Sequence, residues 1–235
     1  MKILITGTNK GLGLEFVKQY LERGEEVVAT CRNPEKAEEL KGLSTRFPET
    51  LTILKLDVAD PESRSLAHKT VKQTFGSIDL LINNAALISD DLNHRYPLGE
   101  MHLEDISKIF DVNAIAPLLM AELFLDLLEK SANPKIINIS SWMGSLSDKS
   151  STNNYSYSAS KSALNMFSRM LSIDLKEKGF TVLALHPGHV QTDMGGSNAP
   201  LKPDESIDAM IKVIDSLAIE DTGKFLNWDG TEIPW

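Results

Sequence analysis

A single cysteine, Cys31, among 235 residues excludes an intrachain disulfide. Basic residues are also scarce: 24 Lys and Arg face 33 Asp and Glu, a net charge of −9. Nonspecific nucleic-acid binding relies on clustered cations, so this balance argues against it. No apolar run approaches the roughly 20 residues that span a bilayer, so no membrane association is expected. Met1-Lys2 runs straight into an apolar stretch, leaving no room for a cleavable leader, and a cytoplasmic protein is the expectation. A G-x-S-x-G elbow is missing, which argues against a serine hydrolase despite many serines. His186-Pro187-Gly188-His189 has a His-x-x-His spacing, but a Pro-Gly turn does not hold both rings on one helical face. No acidic or cysteine cluster stands beside it, so no metal is expected. Repeats, low-complexity segments and linker-like stretches are absent, and 235 residues suit one domain spanning the whole chain.

What is present begins at Thr6-Gly7-Thr8-Asn9-Lys10-Gly11-Leu12-Gly13. Ile3-Leu4-Ile5 leads into it, and Leu14, Phe16, Val17, Tyr20 and Leu21 follow with helical spacing. Strand, glycine turn, helix is the setting in which backbone N–H groups meet a pyrophosphate at a helix N-terminus. Further strands are expected at 26–30, 51–56, 78–82, 135–139, 181–185 and 224–228. Helices are expected at 34–46, 61–74, 103–130 (with a break near Pro117), 155–178 and 203–217. Loops are expected at 87–101 and 142–154. Seven strands alternating with six helices imply an α/β domain: a doubly wound, mostly parallel sheet with helices on both faces. Ligands in such sheets bind beyond the carboxyl ends of the strands. That rule selects the glycine loop, Arg32, Asp57, Asn83 to Ala86, Ser140-Ser141 and Pro187-Gly188.

Tyr157 and Lys161, four apart on a helix, share a face. An ammonium about 4 Å from a phenol, at an effective dielectric of about 20, favours the phenolate by about 4 kcal/mol. That is on the order of three pKa units, enough to bring a phenol toward neutral pH. Alone, the pair reads equally as a surface tyrosine and lysine. Tyr155 has only Ala159 at the corresponding position and serves as an internal control.

In sequence order, the glycine loop, Asn83-Asn84-Ala85-Ala86, Asn138-Ile139-Ser140-Ser141 and Tyr157-Ser158-Ala159-Ser160-Lys161 resemble the short-chain dehydrogenase/reductase family over essentially the whole chain. The segment 186–196, Asn198-Ala199-Pro200-Leu201 and the ending 225–235 narrow the resemblance to the C-factor and sniffer-like carbonyl reductase group. The resemblance implies a Rossmann-type fold and roles residue by residue. Tyr157 is the implied acid/base, Lys161 the residue that holds the nicotinamide ribose and lowers the tyrosine pKa, Ser141 the carbonyl donor. Asn113 is implied in a proton relay, although a helix asparagine bonding backbone is the plainer reading. Gly7, Asn9, Lys10, Gly11, Leu12, Gly13, Asn83, Asn84 and Ala85 are implied in dinucleotide binding. Asp57-Val58 resembles an adenine contact, and Pro187-Gly188 with Val190 and Thr192 resembles a nicotinamide cradle. Ala85-Ala86 departs from the family, which usually has glycine there, and Ser141 to Tyr157 is a slightly long separation.

The second strand ends Thr30-Cys31-Arg32-Asn33, with no acid to hold a ribose 2′-hydroxyl. Arg32, with Lys10 nearby, suits a 2′-phosphate, so NADP(H) is the expected cofactor. The expected activity is reduction of a ketone, aldehyde or quinone, with Leu87, Trp142, Met143, His189 and Met194 as candidate pocket residues and 194–203 as a lid. The alternative is a dinucleotide-binding signalling protein with little turnover. A small-molecule carbonyl is the expected partner; the resemblance implies that the helices at 103–130 and 155–178 can pair between subunits in a homodimer or homotetramer, although some carbonyl-reductase relatives are monomers. Cys31 reads as a small side chain at a strand end rather than a reactive thiol.

Overall fold

The computed structural model describes residues 1–88, 99–150 and 154–235. Parts of the two expected loops, 89–98 and 151–153, lie outside the described residues. Seven strands form one sheet: β1 (Lys2–Thr6), β2 (Glu26–Cys31), β3 (Leu51–Lys55), β4 (Leu80–Asn83), β5 (Lys135–Ile139), β6 (Thr181–His186) and β7 (Phe225–Asn227). Their order is β3-β2-β1-β4-β5-β6-β7, and every pairing among these strands is parallel. The chain winds outward from β1 in one direction and from β4 in the other. The crevice between those two strand ends is where such a sheet accepts a ligand.

Among the described residues, seven α-helices cover the sheet: α1 (Gly11–Glu22), α2 (Glu38–Arg46), α3 (Pro61–Thr74), α4 (Leu103–Phe110), α5 (Ala116–Leu128), α6 (Tyr155–Leu175) and α7 (Pro203–Ser216). Ile3 and Ile5 pack with α1, α2 and α7 on one face, while Leu4 packs with α3 and α5 on the other. Cover on both faces is why the strands are apolar runs rather than alternating ones. Among the described residues, no helix is long and apolar enough to cross a membrane.

Two expected helices are divided. Residues 34–46 form a short 3-10 turn, Pro34–Lys36, and then α2. Between them the backbone of Ala37 leaves helical geometry and its methyl enters the core. Residues 103–130 form α4, a π-helical turn at Asp111–Ile115, and α5. The break therefore falls just before Pro117. Proline has no N–H to give the carbonyl four residues back, which is that of Asn113, and its ring crowds that carbonyl. A widened turn relieves both, and Pro117 then sits in the first turn of α5, where proline is tolerated. Asp60 caps α3 as expected, its Oδ1 accepting from Glu62 N–H at 3.0 Å. Gly179, at φ 81°, ends the helix that follows Tyr155.

After β7 the chain turns at Asp229-Gly230 and runs back beside it. Asn227 N–H donates to Thr231 O and Ile233 N–H to Phe225 O, both at 2.8 Å. This tail, 231–235, covers the outer edge of the sheet.

Candidate active site

The glycine loop is shaped by close approaches. Gly7 (φ 71°) and Gly11 (φ 59°) occupy the left-handed region. A Cβ on Gly13 would lie 2.3 Å from Gly7 O and 2.5 Å from Asn84 Nδ2, so α1 can approach β1 only with glycine there. Asn84 ties the loop after β4 to the same turn: Nδ2 donates to Thr6 O at 2.8 Å and to Gly7 O at 3.0 Å. Thr6 Oγ1 accepts from the N–H groups of Asn84 and Ala85. The Ala85 methyl lies 3.1 Å from where a Gly7 Cβ would stand, so this loop leaves no room for a side chain at position 7. Thr8 fastens the loop to β2, its N–H and Oγ1 both donating to Thr30 O.

Helix α1 has no side-chain cap, since its N-cap is Lys10, and no acid stands in its first turn. Its leading N–H groups, around Gly11, Leu12 and Gly13, are thus presented to an anion at the β1–β4 crevice. These features fit a dinucleotide's pyrophosphate. Asn83 does not join them. Strand alternation turns its side chain inward, where Nδ2 donates to Asn138 Oδ1 at 2.8 Å and to Pro117 O at 3.3 Å. Arg32 is exposed beyond β2 and makes no ion pair among the described residues. The ammonium of Lys10, expected beside Arg32, instead pairs with Asp193 at 2.5 Å. Asp57 caps its own turn, Oδ1 accepting from Ala59 N–H at 3.0 Å, and Val58 is buried beside it.

Ser141 follows β5 directly. Tyr157 lies in the first turn of α6, only 7% exposed, set there by Asn154, whose Oδ1 accepts from the Tyr157 N–H. Lys161 is fully buried; its Nζ lies 5.7 Å from the centre of the Tyr157 ring and donates to Ile139 O at 2.7 Å. Glycine is required at 144 because a Cβ would stand 2.8 Å from the Lys161 backbone, so the 3-10 turn Trp142–Gly144 rests on this part of α6. The three side chains therefore converge at the end of β5.

Their electrostatics differ from the expectation. Burial pushes the Tyr157 phenol up to about 12, and a hydrogen bond with Ser141 pulls the other way. Burial lowers Lys161 to about 7. Desolvation penalises the charged form of both groups, and here it outweighs the attraction expected from helical spacing. Among the described residues, the influence that lowers the tyrosine is its hydrogen bond with Ser141.

Asn113, fully buried in the π-turn, uses its side chain as a clamp. Oδ1 accepts from Leu87 N–H at 2.7 Å, and Nδ2 donates to Leu87 O at 2.7 Å and to Ser160 Oγ at 3.0 Å. Ser160 Oγ in turn donates to Tyr157 O. The side chain bonds backbone and fixes the Leu87 segment against α6.

Beyond β6 the chain folds back over the glycine loop. Gly188 (φ 81°) passes Trp228 and Leu201 too closely for any side chain. Ser206 Oγ donates to Pro187 O at 2.6 Å, Val190 bridges to Leu201, and Thr192 Cγ2 comes within 3.7 Å of where a Gly11 Cβ would be. His189 Nε2 is bonded to Gly195 O at 2.8 Å. His186 is held neutral by burial, its pKa lowered to about 4, and its Nδ1 has no hydrogen-bond partner among the described residues. Trp142 and Met194 are exposed near this opening, while Leu87 and Met143 are half-buried.

Residues 1–202 match the short chain dehydrogenase family. The chain belongs to that family. This short-chain dehydrogenase is 40% identical to the C-signal of Myxococcus xanthus over 160 residues, which are 68% of this chain and 94% of that protein. It superposes on the NADPH-bound carbonyl reductase from chicken fatty liver with a TM-score of 0.93 at 38% identity, covering 100% of this chain and 98% of that one. The corresponding values for the carbonyl reductase Sniffer of D. melanogaster are 0.94, 32%, 100% and 99%. The dehydrogenase thus falls in the C-factor and sniffer-like group, and its Ser, Tyr and Lys cluster stands in an oxidoreductase fold.

Several residues that build the site carry no sequence signal of their own. Thr6, Thr8, Ser160 and Asp193 act through partners far along the chain. A buried hydroxyl at a strand end is the only hint, and it identifies Thr6 alone. A groove of about 590 Å³ between α7 and β7 lies apart from the cluster, and its Lys212 and Lys224 are already paired with Asp208 and Asp221.

Proposed function

We propose that this dehydrogenase reduces an apolar ketone, aldehyde or quinone to the alcohol with NADPH. The observation that carries the reading is the convergence of Ser141, Tyr157 and Lys161 at the end of β5, on the same sheet whose β1 leads into the uncapped N-terminus of α1. The similarity to an NADPH-bound carbonyl reductase supports it. The dinucleotide, when bound, supplies the hydride. The α1 N–H groups hold its pyrophosphate and Arg32 takes the 2′-phosphate. Ser141 Oγ–H donates to the substrate carbonyl oxygen and polarises it. Tyr157, protonated across the neutral range, passes its proton to that oxygen as it becomes an alkoxide. Lys161 in its charged form stabilises the phenolate left behind, and Asn113 positions α6 from behind. The exposed Trp142 and Met194 suit an apolar substrate. We place this chemistry in the cytoplasm.

Oxidation of NADPH, followed by absorbance with a panel of carbonyls, tests the reading. The expected result is turnover with catalytic efficiency at least tenfold higher for NADPH than for NADH, about 1.4 kcal/mol from the 2′-phosphate contact. A ratio near one removes the role of Arg32. The similarity to C-signal favours a second reading, a regulatory protein that binds the dinucleotide. Tight NADPH binding with no turnover on any carbonyl selects that reading.

A further inference from the structure

The segment that follows Ser141 is held from two sides. On one side, Ser162 Oγ donates to Gly144 O at 2.9 Å and Asn165 Nδ2 donates to the same carbonyl at 3.3 Å, fixing the turn to α6. On the other side stands the tail beyond β7. Ser145, buried to 1% exposure, donates its hydroxyl to Pro234 O at 2.6 Å and accepts from Asp148 N–H at 3.2 Å. The N–H groups of Leu146 and Ser147 donate to Trp235 O at 3.2 and 3.1 Å, and Ser147 Oγ donates to it at 3.0 Å. The Trp235 ring stacks on Phe225, centroids 5.4 Å apart, and Ile233 packs into the small core formed with Ala184 and Phe225. The tail is therefore anchored to an edge strand and grips residues 145–147 through their backbone.

We propose that residues 233–235 are a positioning element for the carbonyl site, with Ser145 as the keystone. The proposal rests on the reductase reading above. Ser141, the turn 142–144 and the gripped residues 145–147 are consecutive, so the direction of the Ser141 hydroxyl and the place of Trp142 depend on where 145–147 are fixed. Among the described residues, no hydrogen bond of the grip reaches the glycine loop. The tail governs the substrate end of the crevice and leaves the dinucleotide end alone.

The test uses the full chain and four proteins: wild type, Ser145→Ala, Ser145→Thr and Trp235→Ala. Hydrogen exchange at the Leu146 and Ser147 amides reads the grip without reference to activity. Protection is expected in wild type and Ser145→Thr, and is expected to fall in Ser145→Ala and Trp235→Ala, with α6 amides unchanged. Kinetics with the best carbonyl of the panel read the consequence. The expected change is a KM for the carbonyl raised about tenfold in the two Ala variants, roughly the loss of one buried hydrogen bond. Expected alongside it are kcat within about threefold, an unchanged NADPH dissociation constant by fluorescence titration, and rescue by Ser145→Thr. Amide protection that survives Ser145→Ala overturns the grip. Lost protection with KM unmoved, or with NADPH binding weakened in step, overturns the positioning role. A wild type that turns over no carbonyl defeats the reductase reading, and the exchange data still decide the grip.

Discussion

At the scale of single residues, the cluster turns on how burial treats charge. Helical spacing correctly placed Tyr157 and Lys161 together, but spacing says nothing of desolvation. Both groups are enclosed, and each charged form loses its hydration. The internal control still holds geometrically: Tyr155, 40% exposed, starts the same helix outside the cluster. Tyr157→Phe is expected to lower kcat by about 10³-fold, within the span of general acid catalysis, while Tyr155→Phe stays within about twofold. Equal losses under steady-state conditions would remove Tyr157 from its role. The lysine makes a separate prediction for stability. Its folded pKa of about 7 lies below the ordinary lysine value of 10.5. Between those values the unfolded chain holds a proton that the native protein lacks, so this group makes stability rise with pH across that window. Lys161→Met abolishes that contribution. The melting temperature of Lys161→Met minus that of wild type is therefore expected to fall as pH rises from 7 toward 10, measured by scanning calorimetry in matched buffers. A constant difference contradicts the burial argument. Ser141, Tyr157 and Lys161 were legible because their spacing and context are local, whereas the partners of Asn113 and Lys10 were not. The Leu87 backbone lies 26 residues from Asn113, and Asp193 lies 183 residues from Lys10.

At the scale of elements, strand positions could be read from the chain because a sheet covered on both faces demands apolar runs, and Ile3-Leu4-Ile5 satisfies both layers at once. The break near Pro117 was legible from the proline itself, but the interruption at Ala37 was not. Ala37 leaves the helix to fill a tertiary gap, and the turn at Asp111–Ile115 arises from a proline whose effect falls on residues before it. The glycine loop is the reverse case, where the sequence named the positions but not the reason for each. Gly11 owes its identity to a left-handed backbone, with its nearest neighbour 3.7 Å from a would-be Cβ. Gly13 owes its identity to a carbonyl 2.3 Å away. Gly13→Ala must therefore push α1 off β1, an overpacking cost of about 1–3 kcal/mol. For a chain of this size that is a drop in melting temperature on the order of 5 °C. Because the N–H groups of the first turn move with the helix, NADPH binding is expected to weaken in the same variant. Thermal melts that match wild type, with binding intact, would show that the loop has slack this geometry denies.

At the scale of the molecule, the tail closes one edge of the sheet, but one helical face stays open. Met166, Met170 and Ile173 recur along α6 at four- and three-residue intervals and are all more than half exposed. Ile115, exposed on the π-turn, belongs to an element that packs on the same helix. Large apolar side chains lined up on one helix are costly to leave in water, by about 25 cal/mol for each Å². Charged groups are usually depleted from the centre of an interface, and here Arg169 and Asp174 flank the stripe and would fall at its rim. The expected occupant is a second copy of the same helix, related by a two-fold axis so that each stripe would meet its equal. A stable pair needs roughly 800 Å² from each partner, so the flanks contributed by α4 and α5 must take part. We expect wild type to sediment as a dimer or tetramer at micromolar concentration. Met170→Glu sets two carboxylates against each other across the axis and is expected to sediment as a monomer whose far-ultraviolet spectrum is unchanged. A wild type that sediments as a monomer, or a Met170→Glu variant that stays assembled, removes α6 as the meeting face.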